Sequence, residues 1–228
     1  MKYIIMKKIK SKRLEWDEQV LLSKTYGQQV LRPISDKDWN LIVQDIIRKL
    51  NVKKGLNNML DVGSGNGMVL RNIKPNFKNL YAVDYSIEMI KQAKKIDIDY
   101  NLCVNEASKL SFTENYFDRI LCYSVFHYFT NLSYAYKTIF EFIRVSKPGS
   151  IILIGDVLDA SFEKEIKLKS NLEYEKKISS IKRYSEWQFY DIEHLKNYFK
   201  KYVSKIEILD QPSKFKLNKY RKDIKICL

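Results

Sequence analysis

Three glycines and one carboxylate lie close together near residue 60 and form the strongest chemical signal in the chain. Asp61 precedes Gly63, Gly65 and Gly67, so three of the seven glycines fall within five residues. The apolar run that ends at Val62 predicts a strand, and glycines in the turn after it tolerate positive φ and let a ligand approach the backbone. Amides at the start of a following helix would then face that ligand. A carboxylate beside such a turn suits a ligand that carries an amine and a carboxylate.

The glycine spacing disfavours two common phosphate-binding motifs. A dinucleotide fingerprint requires G-x-G-x-x-G, and counted from Gly63 its third glycine would fall at Met68. A P-loop ends in Gly-Lys-Ser or Gly-Lys-Thr, which this segment does not contain. A nicotinamide-dependent dehydrogenase is therefore a weak alternative.

The elements that must position this turn alternate between strands and helices from residue 57 onward. The predicted strands are Asn58–Val62, Leu80–Val83, Asn101–Val104, Phe117–Tyr123 and Ser150–Val157. Helical patterns lie at Ser86–Lys95 and Leu132–Val145, and Lys147-Pro148-Gly149 predicts a turn after the second helix. This alternation implies an α/β fold with a mostly parallel sheet and helices on both faces. Val203–Leu209 and Asp223–Cys227 have no helix between them, which predicts an antiparallel pair at one edge.

Five segments, in chain order, resemble the motifs of class I S-adenosylmethionine-dependent methyltransferases, in particular the small-molecule, methyltransferase type 11-like branch. They are Asp61-x-Gly63-x-Gly65-x-Gly67, Val83-Asp84-Tyr85-Ser86 with Met89, Asn105-Glu106-Ala107-Ser108, Phe117-Asp118 with Leu121-Cys-Tyr-Ser124, and Arg144-x-x-Lys147-Pro148-Gly149-x-Ile151. The resemblance covers residues 57–157. It implies a Rossmann-like seven-stranded sheet with an antiparallel C-terminal hairpin strand. It also implies S-adenosylmethionine as cofactor and S-adenosylhomocysteine as product.

The resemblance also implies where the cofactor would bind. Asp84 matches the acidic residue that holds both ribose hydroxyls in the family, since a carboxylate offers acceptors to two neighbouring donors. Glu106 stands where Asp is usual, while the backbone amide of Ala107 would still read the adenine. The expected cofactor-binding residues are Asp61, Gly63, Ser64, Gly65, Gly67, Asp84, Tyr85, Met89, Glu106, Ala107, Ser108, Tyr123 and Ser124.

Methyl transfer from a sulfonium is an in-line displacement, so the protein mainly has to align donor and acceptor. His127, which follows the fourth strand, is the first candidate for a general base. Asp156, which ends the fifth strand, is a second candidate that could instead anchor the substrate. The residues expected to contact the substrate are Tyr26, Trp187 and Tyr190. No grouping of His, Cys and Asp predicts a metal site.

The chain is expected to divide at residue 56. Residues 1–56 are predicted to form an N-terminal helical cap or extension, and residues 57–228 the catalytic domain. An insertion at about 158–190 is expected to act as a substrate lid, because the segment 184–190 resembles the acceptor-pocket insertion of small-molecule members.

The net charge of +14 raises the question of a nucleic-acid partner. The excess lies at the two ends: residues 1–13 contain six basic and no acidic side chains, and residues 195–228 contain ten basic and three acidic ones. Lysine dominates, whereas readers of phosphates and bases favour arginine. The resemblance to small-molecule members of the family favours an acceptor such as a sugar, a phosphate-bearing metabolite or a natural product. An RNA methyltransferase that uses the basic termini, and a cofactor-binding module without turnover, stay open as alternatives.

Two exclusions narrow these alternatives further. Tyr123-Ser124-Val125-Phe126 replaces the Asn/Asp-Pro-Pro-Tyr/Phe element of methyltransferases that act on DNA adenine or glutamine amides. Three widely spaced cysteines, Cys103, Cys122 and Cys227, predict neither a disulfide framework nor a zinc site.

With no apolar run of membrane-spanning length and no export signal at the start, a cytoplasmic location is expected. The sequence leaves the oligomeric state open.

Overall fold

The computed structural model of the protein describes residues 2–53, 55–73, 77–95, 101–169, 186–215 and 217–228. The strands are β1 (Leu56–Val62), β2 (Phe77–Asp84), β3 (Asn101–Val104), β4 (Phe117–Tyr123), β5 (Ser146–Leu158), β6 (Lys205–Asp210) and β7 (Arg221–Cys227). The helices are α1 (Lys2–Leu22), α2 (Tyr26–Gln29), α3 (Asp36–Lys49), α4 (Leu70–Ile73), α5 (Ile87–Lys95), α6 (Leu132–Val145), α7 (Glu163–Lys169) and α8 (Ile192–Phe199). None of the helices in these described ranges has the length and apolar character needed to cross a membrane.

The seven strands form one sheet in the order β3-β2-β1-β4-β5-β7-β6. Strands β1 to β5 pair in parallel, and β7 pairs antiparallel with both β5 and β6. This confirms the predicted Rossmann-like sheet with an antiparallel C-terminal hairpin. The strand order reverses direction at β1 and β4, and open α/β sheets bind ligands in the crevice at such a point.

Helices cover both faces of the sheet because strand residues alternate between two cores. Met59 of β1 packs on one side with Ile46 of α3. Leu60 of β1 packs on the other side with Phe142 of α6 and Phe199 of α8. The sheet is thus buried on both faces, and its carboxyl edge is left to form a site.

Strand β5 begins at Ser146, four residues before the predicted start at Ser150. Phe117 pairs with Ser146 and Arg119 pairs with Ile151, so the register shifts between these two pairs. The turn predicted at residues 147–149 is therefore an irregularity within one strand, and Gly149 has a φ of +78° there.

Part of the predicted lid is described. A short 3₁₀ turn and α7 follow β5 directly. The chain then returns to the end of β5, where the amide of Tyr190 donates to the carbonyl of Leu158 at 2.9 Å. Residues 170–185, which include Tyr184, lie outside the described residues, and the proposed division at residue 56 stays a prediction.

Candidate functional site

A cleft lies at the carboxyl ends of β1, β2 and β4, where the strand order reverses. It holds about 1170 Å³ not filled by protein atoms, including its open mouth, which is room for a nucleoside-sized ligand. Its walls come from the segment before β1 and from the loops after β1, β2, β3 and β4. The lining residues are Lys12, Trp16, Val30, Arg32, Trp39, Asp61, Val62, Gly63, Ser64, Gly65, Met68, Val69, Asp84, Tyr85, Met89, Asn105, Ala107, Tyr123, Ser124, Val125, Tyr128, Phe129, Thr130 and Tyr134.

The loop after β1 has a backbone conformation that favours glycine. Gly63, Gly65 and Gly67 have φ values of +71°, +55° and +81°. A Cβ atom on Gly63 would lie only 2.4 Å from Cγ2 of Val125. Position 63 therefore excludes larger residues by steric contact as well as by its backbone conformation. The Gly63 amide donates to the carbonyl of Val83 at 2.8 Å, which holds the loop against the end of β2.

Two buried carboxylates, Asp61 and Asp84, line the cleft at the ends of β1 and β2. The two carboxylate oxygens of Asp84 accept hydrogen bonds from the backbone amides of Gly65 and Ser86, both at 2.9 Å. Burial raises the pKa of Asp84 to about 6, although these amides oppose the shift. Burial, reinforced by the charge of Asp84, raises the pKa of Asp61 to about 8. At neutral pH Asp84 is thus mostly an ionised acceptor, whereas Asp61 is mostly protonated.

Helix α1 is tied to the start of α5 beside this carboxylate. Asp17 of α1 accepts a 2.6 Å hydrogen bond from the Ser86 hydroxyl, which itself accepts the amide of Met89 as an N-cap does. Trp16 packs edge-on against Tyr128, with ring centroids 5.0 Å apart. The N-terminal segment is thereby fixed to two loops of the cleft.

The loop after β3 contributes a different set of contacts from the one its motif predicts. Among the described residues, Asn105 and Ala107 line the cleft, whereas Glu106 and Ser108 do not. The Ser108 hydroxyl donates to Glu106 Oε1 at 3.0 Å, so the longer side chain is held within its own loop. Ala107 is the member of the predicted pair that faces the ligand space.

The other end of the cleft, over β4 and β5, carries a guanidinium group. Nη2 of Arg32, which lies between α2 and α3, donates to Ser124 Oγ at 3.0 Å and to Asp156 Oδ2 at 2.6 Å. The guanidinium carbon lies 5.7 Å from the ring centre of Tyr123. Burial alone would lower the pKa of Arg32, but the charge of Asp156 raises it above its ordinary value, so Arg32 is a permanent cation.

Asp156, the second candidate base, is engaged in ion pairs. Arg32 and Arg221 both bind its carboxylate, and Gln211 donates to its other oxygen at 3.2 Å. Burial opposes ionisation here, yet the two arginines hold the pKa of Asp156 well below its usual range. Such a carboxylate accepts a proton poorly, so this geometry favours a positioning role over the base role.

The first candidate base, His127, lies behind the cleft wall. It is part of the 3₁₀ turn Phe126–Tyr128 and is 1% exposed. Its ring centre lies 4.2 Å from that of Tyr128 and 4.9 Å from that of Trp187. Because Tyr128 lines the cleft, contact between His127 and a substrate would require Tyr128 to move.

The three residues expected to contact substrate do not line the described cleft. Tyr190 is fully buried and donates its hydroxyl hydrogen bond to the carbonyl of Phe126 at 2.7 Å. Trp187 is 4% exposed and stacks with Arg221, whose guanidinium carbon lies 5.2 Å from the ring centre. Tyr26 lines a second depression that shares two wall residues with the cleft. The assignment of these three residues to substrate contact stays a prediction.

Sequence reasoning missed the part of the cleft that the N-terminal segment supplies. Five of its residues line the cleft: Lys12, Trp16, Val30, Arg32 and Trp39. One signal could have found Arg32, because arginine is rare in this lysine-rich chain and serves best where a planar fork of donors is needed. The other four belong to no local motif and reach the cleft only through the tertiary fold.

Comparison with known proteins agrees with this geometry. The methyltransferase-domain family matches residues 60–154, from within β1 to within β5. Demethylmenaquinone methyltransferase from Renibacterium salmoninarum is 24% identical over 124 residues, which are 54% of this chain and 49% of that protein. Chondramide synthase cmdD from Chondromyces crocatus is 28% identical over 134 residues, which are 53% of this chain and 3% of that protein. The chain thus spans about half the length of one relative and a small part of the other.

A solved structure extends the likeness to nearly the whole chain. The plantazolicin methyltransferase BpumL, in complex with a monoazolic desmethylPZN analog and S-adenosylhomocysteine, superposes with a TM-score of 0.67. The match covers 98% of each chain at 18% identity. Residues 60–154 match the methyltransferase-domain family, and the chain as a whole shares the fold of this solved methyltransferase. The likeness confirms the predicted fold, and that solved structure holds S-adenosylhomocysteine.

Proposed function

We propose that this protein is a methyltransferase that transfers the methyl group of S-adenosylmethionine to an oxygen or nitrogen atom of a small molecule. One observation supports the small-molecule acceptor above all. The segment before β1 lies over the sheet edge and supplies Lys12, Trp16 and Arg32 to the cleft wall. A cleft roofed in this way suits a compact acceptor better than a folded polymer.

The residues at the β1 and β2 end fit the cofactor. Each oxygen of Asp84 already accepts one backbone amide and keeps a lone pair for a ribose hydroxyl. The glycine loop brings backbone close to the ligand space, and Met89 adds an apolar contact. We propose that Asp84 holds the ribose and that Ala107 faces the adenine.

The bound cofactor supplies an electrophilic methyl group on a sulfonium sulfur. The chain's own residues then have to hold the acceptor in line with that methyl group and exclude water. Tyr85 and Tyr123 present aromatic rings to the cleft, where a cation is stabilised by a ring face. A neutral amine acceptor would need no base. For an alcohol, His127 is the proposed base once Tyr128 has moved.

A transfer assay tests this proposal. Purified protein is incubated with methyl-labelled S-adenosylmethionine and cell extract, and the products are separated into nucleic-acid, protein and low-mass fractions. We expect label in the low-mass fraction and its loss in Asp84→Ala. The matched control is Lys91→Ala, which removes an exposed ion pair on α5. Activity of Asp84→Ala equal to the control would contradict the site.

The same assay separates the two alternatives. Label in nuclease-sensitive material, with binding that weakens steeply as salt rises, would favour an RNA acceptor held by the basic ends. S-adenosylhomocysteine binding without any transfer would favour a cofactor-binding module.

A further inference from the structure

A buried network of charges stands at the β4 and β5 end of the cleft, and the methyl-transfer proposal gives most of it no role. Asp156 accepts from Arg32 and Arg221. Its backbone amide donates to Asp223 Oδ1 at 2.8 Å, and Asp223 pairs with Lys49 at 2.6 Å. The network therefore connects the N-terminal segment, β5, β7 and α3 at one point.

Arg32 shares its counter-charge with a second guanidinium group, because the one carboxylate of Asp156 binds both Arg32 and Arg221. Arg221 is buried against Trp187, whereas the side chain of Arg32 is 19% exposed and lines the cleft. Nη2 of Arg32 donates to Ser124 and Asp156, and Tyr123 is a further hydrogen-bond partner of this side chain. A guanidinium can donate from its other nitrogens as well, in a fork that matches a carboxylate.

The backbone that holds Arg32 is itself unusual. Ser124 and Asp156, its two hydrogen-bond acceptors, have φ values of +63° and +66°. Non-glycine residues seldom adopt this conformation, which persists where surrounding contacts fix it. Here the Ser124 amide donates to the carbonyl of Gly155 at 3.1 Å, and the Asp156 amide is held by Asp223. Both residues that accept from Arg32 are thus held by hydrogen bonds in a conformation that is unfavourable for non-glycine residues.

The order of the strands separates this cation from the acidic end of the cleft. Asp84 ends β2, whereas Arg32 contacts the residues that end β4 and occur in β5, and the sheet order is β2-β1-β4-β5. Neighbouring strands lie about 4.8 Å apart, so the two ends are separated by roughly 10–14 Å. A ligand that spans the cleft meets a carboxylate that can accept from hydroxyl groups at one end and a cation at the other.

From this geometry we infer that Arg32 binds a carboxylate of a molecule in the cleft, and that Asp156 and Asp223 hold the Arg32 side chain in position. The ligand side of this inference rests on the proposed function. A carboxylate at this point has two possible sources, the amino-acid part of the cofactor or the methyl acceptor. The two sources share the recognition chemistry and differ in which molecule loses affinity when Arg32 is replaced.

Two probes distinguish the sources by calorimetry. The first is S-adenosylhomocysteine, and the second is its analogue without the carboxylate, 5′-(3-aminopropylthio)-5′-deoxyadenosine. They are titrated into wild type, Arg32→Met and Arg48→Met. Arg32→Met leaves Asp156 paired with Arg221, so the carboxylate keeps a partner. Arg48 is the matched control because its side chain is 70% exposed, and its partner Asp45 keeps Lys49.

If the carboxylate is that of the cofactor, Arg32→Met weakens S-adenosylhomocysteine binding at least tenfold and leaves binding of the analogue unchanged. This result supports the inference even when no acceptor is found, so it stands apart from the transfer assay. If the carboxylate is that of the acceptor, S-adenosylhomocysteine binding is unchanged, and labelling of low-mass extract falls at least tenfold in Arg32→Met. The labelled wild-type product is then retained on an anion exchanger at neutral pH.

The inference is overturned when Arg32→Met and Arg48→Met differ less than twofold both in S-adenosylhomocysteine affinity and in labelling of the low-mass extract. Absence of transfer in every protein, together with unchanged S-adenosylhomocysteine binding, overturns it equally. A loss of labelling whose wild-type product carries no negative charge also counts against it.

Discussion

The two ends of the cleft are assembled over very different distances along the chain. At the β1 and β2 end, the hydrogen bond between Gly65 and Asp84 joins residues 19 positions apart. At the β4 and β5 end, the ion pair between Arg32 and Asp156 joins residues 124 positions apart. The first end is a local turn followed by one strand, whereas the second needs the N-terminal segment, β5 and β7 together.

The pKa values of buried acids also shift in opposite directions at the two ends. Burial raises the pKa of Asp61 to about 8 and that of Asp84 to about 6, and no cation among the described residues lowers either value. Burial also acts on Asp156, but two arginines lower its pKa well below the usual range. The comparison shows that the charges of neighbouring groups, and not burial alone, decide which carboxylate can change its protonation state near neutral pH.

The largest expected effect concerns the ion-paired end. Asp156→Asn leaves Arg32 and Arg221 without their shared counter-charge, and an uncompensated buried charge costs about 3–5 kcal/mol. We therefore expect the free energy of unfolding, measured by urea titration, to fall by about that amount. If Asp156 were a solvent-facing base, this change would be small.

The matched control for this prediction is Asp210→Asn. Asp210 pairs with Lys222, also next to β7, but its side chain is largely exposed. Exposed ion pairs contribute ~0–1 kcal/mol, so the control should unfold nearly as wild type does. Equal losses in the two variants would contradict the distinction between the two ends.

The second effect concerns the glycine loop. In Gly63→Ala the new Cβ atom would lie 2.4 Å from Cγ2 of Val125, and the backbone φ of +71° disfavours any side chain. The loop must therefore shift, and we expect S-adenosylhomocysteine affinity to fall by a factor on the order of 100 in calorimetry.

The control for Gly63→Ala is Gly55→Ala. Gly55 has a similar φ of +87°, but a Cβ there would meet nothing within 4 Å. Both variants incur the backbone cost of roughly 1–2 kcal/mol, and only Gly63→Ala should lose affinity. If both bind equally well, the loop tolerates displacement and the close approach of the ligand to its backbone is refuted.

The same contrast explains what the sequence could predict. The order of strands, the glycine loop and Asp84 follow from short-range patterns, because each motif directly adjoins the strand that positions it. Arg32 and Trp16 carry no such pattern, since they join the cleft only when α1 and the segment after α2 fold over the sheet. The sequence pointed to Asp156 by its place near the end of β5, but its role depends on Arg221, 65 positions away.

The third effect uses the raised pKa of Asp61. Between pH 4 and pH 8 the folded protein holds a proton on Asp61 that the unfolded chain has released, so stability attributable to this group falls as pH rises. Asn resembles the protonated acid in shape. Asp61→Asn should therefore gain stability relative to wild type as pH rises from 5 to 8, by roughly 2–4 kcal/mol.

Thermal unfolding at pH 5, 6.5 and 8 measures this change without any ligand. Asp210→Asn is the control, because Lys222 lowers the pKa of Asp210, so this carboxyl is ionised throughout pH 5 to 8 and its loss should add no pH-dependent gain. A stability difference between Asp61→Asn and wild type that stays constant from pH 5 to pH 8 would show that Asp61 is ionised throughout.

The smallest effect is the pH dependence of cofactor binding. If Asp84 holds the ribose as proposed, its ionised form accepts hydrogen bonds from both hydroxyls and its protonated form loses an acceptor, so binding should favour the ionised state. With the pKa of Asp84 raised to about 6, affinity for S-adenosylhomocysteine should fall about tenfold from pH 7 to pH 5. In Asp84→Asn the affinity should be low at both values and nearly independent of pH. Should the variant keep the wild-type slope, the titrating group is another acid, and Asp61 is the next to replace because its carboxylate lines the same end of the cleft.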